Sequence, residues 1–326
     1  MPSEPRLMLL DAASLYFRAF YGVPDQRSSP SEPPTNAVRG FLDMIATLVS
    51  MHRPTHLIAC WDNDWRPAFR VDAIPSYKAH RVATAPSPVA DSGVPDQAHP
   101  AHGVAEEVPD DLEPQVPVIV DALAAFGIAR VGVDGYEADD VIGAYATRYA
   151  NVMPIDVVTG DRDLFQLVDD AARIRVLYTA RSGVRDAQTV DEAFLQEHYG
   201  VLNGPAYLDM SIMRGDTSDG LPGVKGIGDK TAAQLIADFG SLAAVRVAVA
   251  DGDPRIKGAR RTNLEAATAY LDVAPTVVAV ARAAPVPDVD AALPSAVADA
   301  RLLSVVASEY GVTGSINRVL SALNLG

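Results

Sequence analysis

The chain has one cysteine and no long hydrophobic run. Because Cys60 is the only cysteine, an internal disulfide cannot form, and a zinc site built from several cysteines is excluded. The position of Cys60 inside an apolar run favours a buried thiol over a reactive one. The amino terminus has no cationic segment leading into an apolar stretch, and no apolar window reaches the length of a membrane span. We therefore expect a soluble, cytoplasmic protein.

Basic residues are also scarce relative to acidic ones. The formal net charge is −15, which by itself argues against a nucleic-acid partner. Part of the excess lies in residues 84–113, which contain seven acidic side chains and no lysine or arginine. The four lysines are Lys78, Lys225, Lys230 and Lys257. Arginine, which suits phosphate contacts, is more plentiful. The remaining charge excess is modest and leaves nucleic-acid binding open.

Three short apolar runs each end next to an aspartate. Residues 7–10 precede Asp11, residues 57–61 precede Asp62, and residues 155–159 precede Gly160 and Asp161. Runs of this length bounded by polar residues are typical of buried strands. In a parallel sheet, ligands bind at the carboxyl ends of the strands. Carboxylates carried there by three strands would converge, which predicts a metal site.

Further acidic residues open a predicted helix or lie in loops. The candidate metal ligands are Asp11, Asp62, Glu137, Asp139, Asp140, Asp161, Asp163, Asp216 and Asp219. Oxygen ligands suit Mg²⁺ or Mn²⁺, and two such ions catalyse phosphodiester hydrolysis. Any one of these residues alone is more often a helix cap or a turn residue. Together, the nine indicate a metal-dependent nuclease.

The order of predicted elements is that of an α/β core followed by helices. Strand and helix alternate over residues 6–75, with helices at about 14–20 and 35–52. The pattern resumes with a helix at 118–126, a strand at 128–133, the acidic helix and the strand before Asp161. Residues 165–168 and 174–178 are predicted to continue the sheet region. We expect an α/β domain over residues 1–185 and a helical region over residues 186–326.

Residues 75–117 interrupt this order. Seven prolines lie between Pro86 and Pro117, and the composition shifts to Pro, Ala, Ser, Gly and Asp. Such a composition cannot supply a packed core. We therefore expect a disordered segment or a mobile lid here.

A glycine-rich turn opens an apolar-periodic helix near residue 230. The run Leu221-Pro-Gly-Val-Lys-Gly-Ile-Gly-Asp-Lys-Thr-Ala-Ala233 has the pattern of a helix-hairpin-helix, with bounds of about 214–240. Gly223, Gly226 and Gly228 would let backbone amides approach a phosphate, and the helix amino terminus adds positive potential. In isolation, the run could equally be an ordinary tight turn.

The residues around this turn carry a family resemblance. The block from Met213 to Ala232 resembles the signature of the 5′ nuclease family, which includes the 5′-exonuclease domains of bacterial DNA polymerase I and the flap endonucleases. Five further blocks agree in order: Leu10–Phe20, Pro54–Arg70, Tyr77–Arg81, Tyr136–Gly143 and Thr159–Val168. The similarity runs from about residue 6 to about residue 275. Six motifs in the family's order make it highly specific.

The resemblance implies a fold and an activity. The fold would be a PIN-like nuclease core, with a mostly parallel central sheet flanked by helices, a helical arch and a carboxy-terminal helix-three-turn-helix region. The activity would be a structure-specific, divalent-metal-dependent 5′ nuclease, both 5′-3′ exonuclease and flap endonuclease, acting on DNA in replication and repair. We expect a monomer whose partners are DNA with 5′ ends or flaps and proteins of replication and repair.

The resemblance also implies residue roles. Asp11, Asp62, Glu137, Asp139 and Asp140 would hold one metal region, and Asp161, Asp163, Asp216 and Asp219 the other. Lys78 and Arg81 would engage the scissile phosphate at the base of the arch. Backbone carbonyls near Leu221, Val224 and Ile227 would bind potassium. The DNA contacts would be Arg18, Arg70, Gly223, Lys225, Gly226, Gly228 and Lys230, although Arg70 could instead serve a salt bridge and Lys78 and Arg81 could be solvated loop charges.

The sequence departs from the family pattern in places. Gly220 stands where polymerase-linked members commonly have Asn, and residues 82–108 form a longer, more acidic segment. We expect residues 84–109 to be a mobile arch element that screens single-stranded 5′ ends.

Two functions remain as alternatives to a 5′ nuclease. A ribonuclease or phosphatase would not need the glycine turn, and a catalytically silent binder of branched DNA would be expected to have lost acidic ligands.

Overall fold

A six-stranded sheet forms the centre of the structure, a computed structural model that describes residues 4–29, 31–82 and 108–325. The strands are β1 (Leu7–Asp11), β2 (His56–Trp61), β3 (Ala129–Gly132), β4 (Ile155–Thr159), β5 (Ile174–Tyr178) and β6 (Gln188–Val190). Their order across the sheet is β3-β2-β1-β4-β5-β6, and all neighbouring strands are parallel except β5 and β6. The predicted mostly parallel α/β core is confirmed.

Helices flank the sheet and make up most of the chain after it. They are α1 (Ala12–Gly22), α2 (Asn36–His52), α3 (Ala68–Ala73), α4 (Gln115–Phe126), α5 (Ala138–Tyr149), α6 (Glu192–Tyr199), α7 (Gly204–Arg214), α8 (Asp229–Phe239), α9 (Leu242–Ala250), α10 (Ala259–Ala266), α11 (Thr268–Val278), α12 (Ala300–Glu309) and α13 (Thr313–Leu323). Short 3₁₀ turns occupy residues 79–81, 163–167 and 217–219. Beyond residue 185, where a helical region was expected, the described residues contain the strand β6 followed by the helices α6 to α13.

The register of β1 explains why the acidic residues meet. β1 lies between β2 and β4, with Leu10 opposite Ala59 on one side and Val158 on the other. Because these three strands run in the same direction, their carboxyl ends reach the same edge of the sheet. The residues that follow them, including Asp62 and Asp161, therefore emerge beside Asp11.

The two faces of the sheet are covered by different parts of the chain. Leu7 and Leu9 of β1 point into a core shared with α5 and the helices α7 to α11, whereas Met8 and Leu10 point into a core shared with α1, α2 and α4. All four side chains are fully buried. Both faces are thus apolar, which accounts for the continuous apolar runs of the strands.

The last two helices return to the core. α13, whose Ile316 and Val319 are buried, packs on α2, and α12 packs on α4. An ion pair between Arg318 and Asp43, 2.7 Å from Nε to Oδ1, joins α13 to α2 at the surface. β6 also extends the sheet beyond residue 185, the predicted domain boundary. The helical region therefore contributes to the α/β core at both of its ends.

One predicted part of the sheet is wrong. Residues 165–168 lie in and just after the 3₁₀ turn, and they form no strand. Leu164, Phe165 and Leu167 are buried within this turn, and the side-chain amide of Gln166 donates to the carbonyl oxygens of Asp163 and Val278. The apolar run reflects burial on several sides, a pattern that periodicity cannot distinguish from that of a short strand.

The last residues of the predicted lid, 115–117, belong to a helix. α4 begins at Gln115, so Pro117 lies in its first turn, where proline is tolerated. The side chain of the buried Gln115 accepts a hydrogen bond from the backbone amide of Ala37, which fixes the helix to α2. Most of the proposed arch, residues 83–107, lies outside the described residues.

No single helix within the described ranges is long and apolar enough to cross a membrane. The bent pair α8 and α9, at 80° to each other, meets the criterion only when the two helices are taken together, by length and composition.

The return of α13 to the core gives a stability prediction. Ile316→Ala should lower the free energy of unfolding by roughly 2–5 kcal/mol, because it removes a buried side chain and leaves a cavity. Urea denaturation measures the change. Val305→Ala in α12 is the control, since that side chain is 39% exposed. Equal stabilities of the two variants would mean that α13 is not part of the cooperative core.

Candidate active site at the carboxyl edge of the sheet

Asp11 is a buried acidic residue at the carboxyl edge of the sheet. It is the last residue of β1 and the N-cap of α1, where its side chain accepts from the amide of Ser14 at 3.0 Å. Its other oxygen accepts from the hydroxyl of Thr159 at 2.6 Å. Burial, together with repulsion from Asp62 and Asp161, nevertheless raises the pKa of Asp11 to about 7. The site therefore holds this carboxylate at an energetic cost.

Asp62 and Asp139 lie beside Asp11. Asp62 follows β2 and accepts from the backbone amide of Ala138 at 2.7 Å, and burial is the main cause that raises its pKa to about 6. For Asp139, in the first turn of α5, burial and the charges of Asp11, Asp161 and Glu137 raise the pKa well above its usual value. The charges of Asp11, Asp62 and Asp139 thus act on one another's neighbourhood at the edge of the sheet.

A second acidic group continues from Asp161. Burial and the charges of Asp161 and Asp219 raise the pKa of Asp163 well above its usual range. Burial opposes ionisation of Asp216 as well, but hydrogen bonds from Ser218 outweigh it and lower the pKa of Asp216. Asp161 interacts electrostatically with both groups and so connects them.

The environment of Asp140 differs from that of Asp11, Asp62 and Asp139. Its fully buried carboxylate forms two hydrogen bonds with Arg70, at 2.6 and 2.8 Å, and accepts from the backbone amides of Glu137 and Ala281. Glu137 and Asp140 form the capping box of α5. The contacts of Asp140 are those of a structural ion pair, and its oxygens are already engaged.

The same pair corrects the expectation that Arg70 contacts DNA. Arg70 is 3% exposed, and its guanidinium also donates to the carbonyl oxygen of Val277 at 2.9 Å. Burial opposes its charge, but Glu137 and Asp140 raise its pKa further above the usual value. A phosphate at the surface cannot reach this group, so the salt-bridge alternative describes Arg70.

Lys78 and Arg81 face the two acidic groups. Lys78 Nζ lies 2.6 Å from Glu137 Oε2, and Arg81 Nη2 lies 2.6 Å from Asp219 Oδ1. Although burial lowers it, the pKa of Lys78 is raised well above its usual value, chiefly by Glu137. Both cations are thus ion-paired at the site. The Lys78 side chain is 13% exposed, so the alternative of a solvated loop charge does not describe it, whereas the Arg81 side chain is 37% exposed.

Thr159 and Tyr77 also shape the site, and the sequence interpretation gave them no role. The hydroxyl of Thr159 donates to Asp11, and the hydroxyl of the buried Tyr77 donates to Glu137 Oε1 at 2.8 Å. Both residues lie inside motifs that carry the family resemblance, Thr159 two positions before Asp161 and Tyr77 next to Lys78. Their position in those motifs was the only available signal, because neither side chain can be placed without the fold.

The donors fit a divalent cation in their chemistry. All are oxygens, and a cation would relieve the repulsion that raises the pKa values of Asp11, Asp139 and Asp163. Within the described residues, no three aspartate, glutamate, histidine or cysteine side chains converge closely enough to form a metal site as they stand. Oxygen donors of this kind are those that hard divalent cations prefer.

The glycine turn divides into a buried and an exposed part. The side chains of Leu221, Val224 and Ile227 are buried, and the carbonyls of Leu221 and Val224 already accept backbone hydrogen bonds from Asp216 and Ile227. The exposed residues of residues 221–230 are Pro222, Lys225, Gly226, Gly228, Asp229 and Lys230.

Gly223 serves packing within this turn. A Cβ there would lie 2.3 Å from the carbonyl oxygen of Arg214.

Arg18, on α1, donates to the carbonyl oxygen of Ala180 at 3.1 Å and is partly exposed.

Comparison with known proteins identifies the family. A 5′-3′ exonuclease N-terminal resolvase-like domain matches residues 6–200, and a 5′-3′ exonuclease C-terminal SAM fold matches residues 202–299. The chain belongs to the 5′-3′ exonuclease family. The predicted family and fold are therefore confirmed.

Relatives of this 5′-3′ exonuclease family member match it along its length. It is 55% identical to a 5′-3′ exonuclease of Streptomyces coelicolor, over 97% of this chain and 99% of the relative. It is 47% identical to a 5′-3′ exonuclease of Mycobacterium tuberculosis, over 98% of both chains. A DNA polymerase I of Mycobacterium bovis is 38% identical, over 80% of this chain but only 26% of the polymerase. The prediction that the chain is a nuclease, and hence a hydrolase, is confirmed.

Solved structures of low sequence identity share the fold. The bacteriophage T5 D15 flap endonuclease, in a pseudo-enzyme-product complex with DNA and metal ions, has a TM-score of 0.60 at 16% identity and covers 98% of this chain and 99% of its own. The catalytic core of Rad2 in complex with DNA substrate has a TM-score of 0.56 at 17% identity, over 98% of this chain and 93% of its own.

The raised pKa values predict a pH-dependent effect on stability. In the folded protein, Asp11 binds its proton more tightly than in the unfolded chain, with a pKa of about 7 against 3.8. Ionisation of Asp11 therefore destabilises the wild type as the pH rises between these values. With a chelator present, the stability of Asp11→Asn relative to wild type should increase from about pH 4 to about pH 7 and then level off.

Chemical denaturation at several pH values measures this difference. Asp121→Asn is the matched control, because that side chain is exposed on α4. A difference between Asp11→Asn and wild type that does not change with pH would contradict the electrostatic account of the site.

Proposed function

We propose that this nuclease is a divalent-metal-dependent enzyme that hydrolyses DNA phosphodiester bonds near 5′ ends and at 5′ flaps. The observation that carries the proposal is the set of mutually repelling carboxylates at one sheet edge, next to Lys78 and Arg81. A site that concentrates negative charge in this way suits metal cations and a phosphate held between them. The description of the T5 flap endonuclease with DNA and metal ions supports the same assignment.

We assign the metal ligands to the two groups. Asp11, Asp62, Glu137 and Asp139 would hold one ion, and Asp161, Asp163, Asp216 and Asp219 another. Asp140 is left out because Arg70 and two backbone amides already engage its oxygens. When bound, Mg²⁺ or Mn²⁺ would supply an activated water and stabilise the charge on the attacking and leaving oxygens.

Lys78 and Arg81 would bind the scissile phosphate. Each is paired with a carboxylate of a different group, Lys78 with Glu137 and Arg81 with Asp219, so a phosphate entering between the groups would meet both cations. Lys78 would orient the phosphate and neutralise the negative charge that develops as the bond breaks. Its strongly raised pKa keeps it protonated throughout the working range.

The glycine turn would hold the duplex next to the site. Gly226 and Gly228 are exposed at the start of α8, where backbone amides and the helix dipole favour a phosphate. Lys225 and Lys230 flank them at the surface, and Arg18 adds a basic group on α1. Potassium on the carbonyls of Leu221, Val224 and Ile227 would complete this contact. We propose a monomer that acts in cytoplasmic DNA replication or repair.

The first test removes a metal ligand. Asp161→Asn should abolish cleavage of a 5′-labelled flap in either magnesium or manganese, with little loss of stability, because it removes one of several repelling carboxylates. Gel analysis gives the cleavage, and thermal denaturation checks the fold. Turnover near that of wild type at saturating magnesium would contradict the metal assignment. A wild type that binds flaps without cleaving them would favour a silent branched-DNA binder.

The second test separates catalysis from binding. Lys78→Ala should lower turnover on the order of a hundredfold, because a contact that strengthens with developing charge is lost. Duplex affinity, measured by fluorescence anisotropy, should fall far less. Lys257→Ala is the control, since that lysine lies outside the two acidic groups. Equal losses of rate and affinity for Lys78→Ala would make Lys78 a general phosphate anchor.

A further inference from the structure

Gly220 lies unusually close to the backbone that carries Lys78. A Cβ at Gly220 would lie 2.1 Å from the carbonyl oxygen of Ser76 and 3.0 Å from its carbonyl carbon. The hydroxyl of Ser76 donates to the carbonyl oxygen of Gly220 at 2.8 Å, and the amide of Lys78 donates to the carbonyl oxygen of Asp219 at 3.0 Å. We call these contacts the 76–220 clasp.

The close approach, and not the backbone angle alone, requires glycine here. Gly220 has φ +72°, a left-handed conformation that Asn also tolerates. Gly311 has a similar φ of +62°, but a Cβ there would meet nothing within 4 Å. Any side chain at position 220 would collide with backbone atoms of Ser76, which cannot rotate away as a flexible side chain could. The departure from Asn at this position therefore has a structural consequence.

The segment held by the clasp is also fixed from its other side. Arg66 donates to the carbonyl oxygens of Pro75 and Tyr77, at 2.8 and 2.6 Å. The Tyr77 side chain is buried and donates to Glu137. A shift at position 76 therefore cannot be absorbed upstream and would be transmitted to the next residues.

Lys78 is the residue whose position would change if the backbone at position 76 shifted. It adopts φ +48°, which is uncommon for a residue with a side chain and persists only where the surroundings hold it. Its amide contact with Asp219 and its Nζ contact with Glu137 are the two restraints on it that face the acidic groups. The clasp supplies the first of them directly.

We infer that Gly220 and Ser76 are positioning residues, which set the Lys78 ammonium relative to the acidic groups so that it meets the scissile phosphate. The inference rests on the proposed function, because it requires Lys78 to act on that phosphate. It adds two residues that do not themselves touch substrate. Misplacing a catalytic group by about 1 Å can cost about a hundredfold in rate.

The experiment compares Gly220→Ala with Gly311→Ala, which imposes similar backbone strain without a collision. We expect Gly220→Ala to lower kcat for a 5′ flap by about tenfold to a hundredfold. KM and duplex Kd should stay within about twofold of wild type, because the glycine turn that grips the duplex is unchanged. Gly311→Ala should match wild type in all three. Equal kcat values for the two variants would overturn the inference.

A double-variant cycle tests whether the effect passes through Lys78. In a Lys78→Ala background, Gly220→Ala should lower kcat by no more than about twofold, because the group that it displaces is already absent. If Gly220→Ala lowered kcat in this background as much as it does in the wild type, Gly220 would act by another route, and the inference would be overturned.

Ser76→Ala covers the case in which Gly220→Ala fails to fold. It removes only the hydroxyl contact, and it should lower kcat by a few-fold while KM and melting temperature stay at wild-type values. An unchanged kcat in a folded Ser76→Ala would then overturn the inference. Hydrogen exchange gives a readout apart from activity, since the Lys78 amide should exchange faster in either variant. An inactive wild type would reject the proposed function. An active wild type whose kcat is unchanged by Gly220→Ala and Ser76→Ala would reject only this inference.

Discussion

Negative charge buried at the carboxyl edge of the sheet is the constraint around which this structure is built. A parallel sheet delivers its strand ends to one edge, and in this chain those ends bring acidic residues. Charges out of water must be paired, or their pKa values shift. Both responses occur here. Asp140 is paired with Arg70 and Glu137 with Lys78, whereas Asp11 and Asp139 form no ion pair with a described residue and have raised pKa values.

The pairing also joins the core to the helical region. Arg70, which neutralises Asp140, donates to the carbonyl of Val277 at the end of α11, and Asp140 accepts from the amide of Ala281 just beyond it. Gln166 adds contacts with Val278 and Val280. Breaking a buried pair of this kind typically costs about 3–5 kcal/mol, because the remaining charge is left without a partner. The position of α5, and with it Glu137 and Asp139, therefore depends on residues that follow the glycine turn by some fifty positions.

Much of the fold and the grouping of the acidic residues could be predicted from the sequence, because both depend on local patterns. The apolar runs before Asp11, Asp62 and Asp161 have the length of buried strands, and parallel strands share an edge. The role of Arg70 could not be predicted in this way, since its partners lie 70 and 207 positions away in the chain. The apolar run around Phe165 forms a 3₁₀ turn instead of the predicted strand, because its burial comes from distant elements.

Gly220 illustrates the same limit at a single residue. In the sequence, it is a mild departure from a family pattern, and a glycine in a loop suggests only a turn. Glycine is required at this position because the carbonyl oxygen of Ser76, a residue far away in the chain, lies against it, and only the fold shows this contact. Local patterns thus locate the acidic groups, whereas long-range contacts determine where the cations stand among them.

The charge balance of the site links cation binding to substrate binding under the proposed function. Lys78 and Arg81 are already paired with carboxylates, and Asp11, Asp139 and Asp163 resist ionisation even without DNA. A phosphate brings further negative charge, which two engaged cations cannot neutralise. Protonation of the carboxylates would relieve the repulsion but would also remove the metal ligands. Divalent cations relieve it and keep the ligands, so cation and phosphate must each strengthen the binding of the other, and by the same factor.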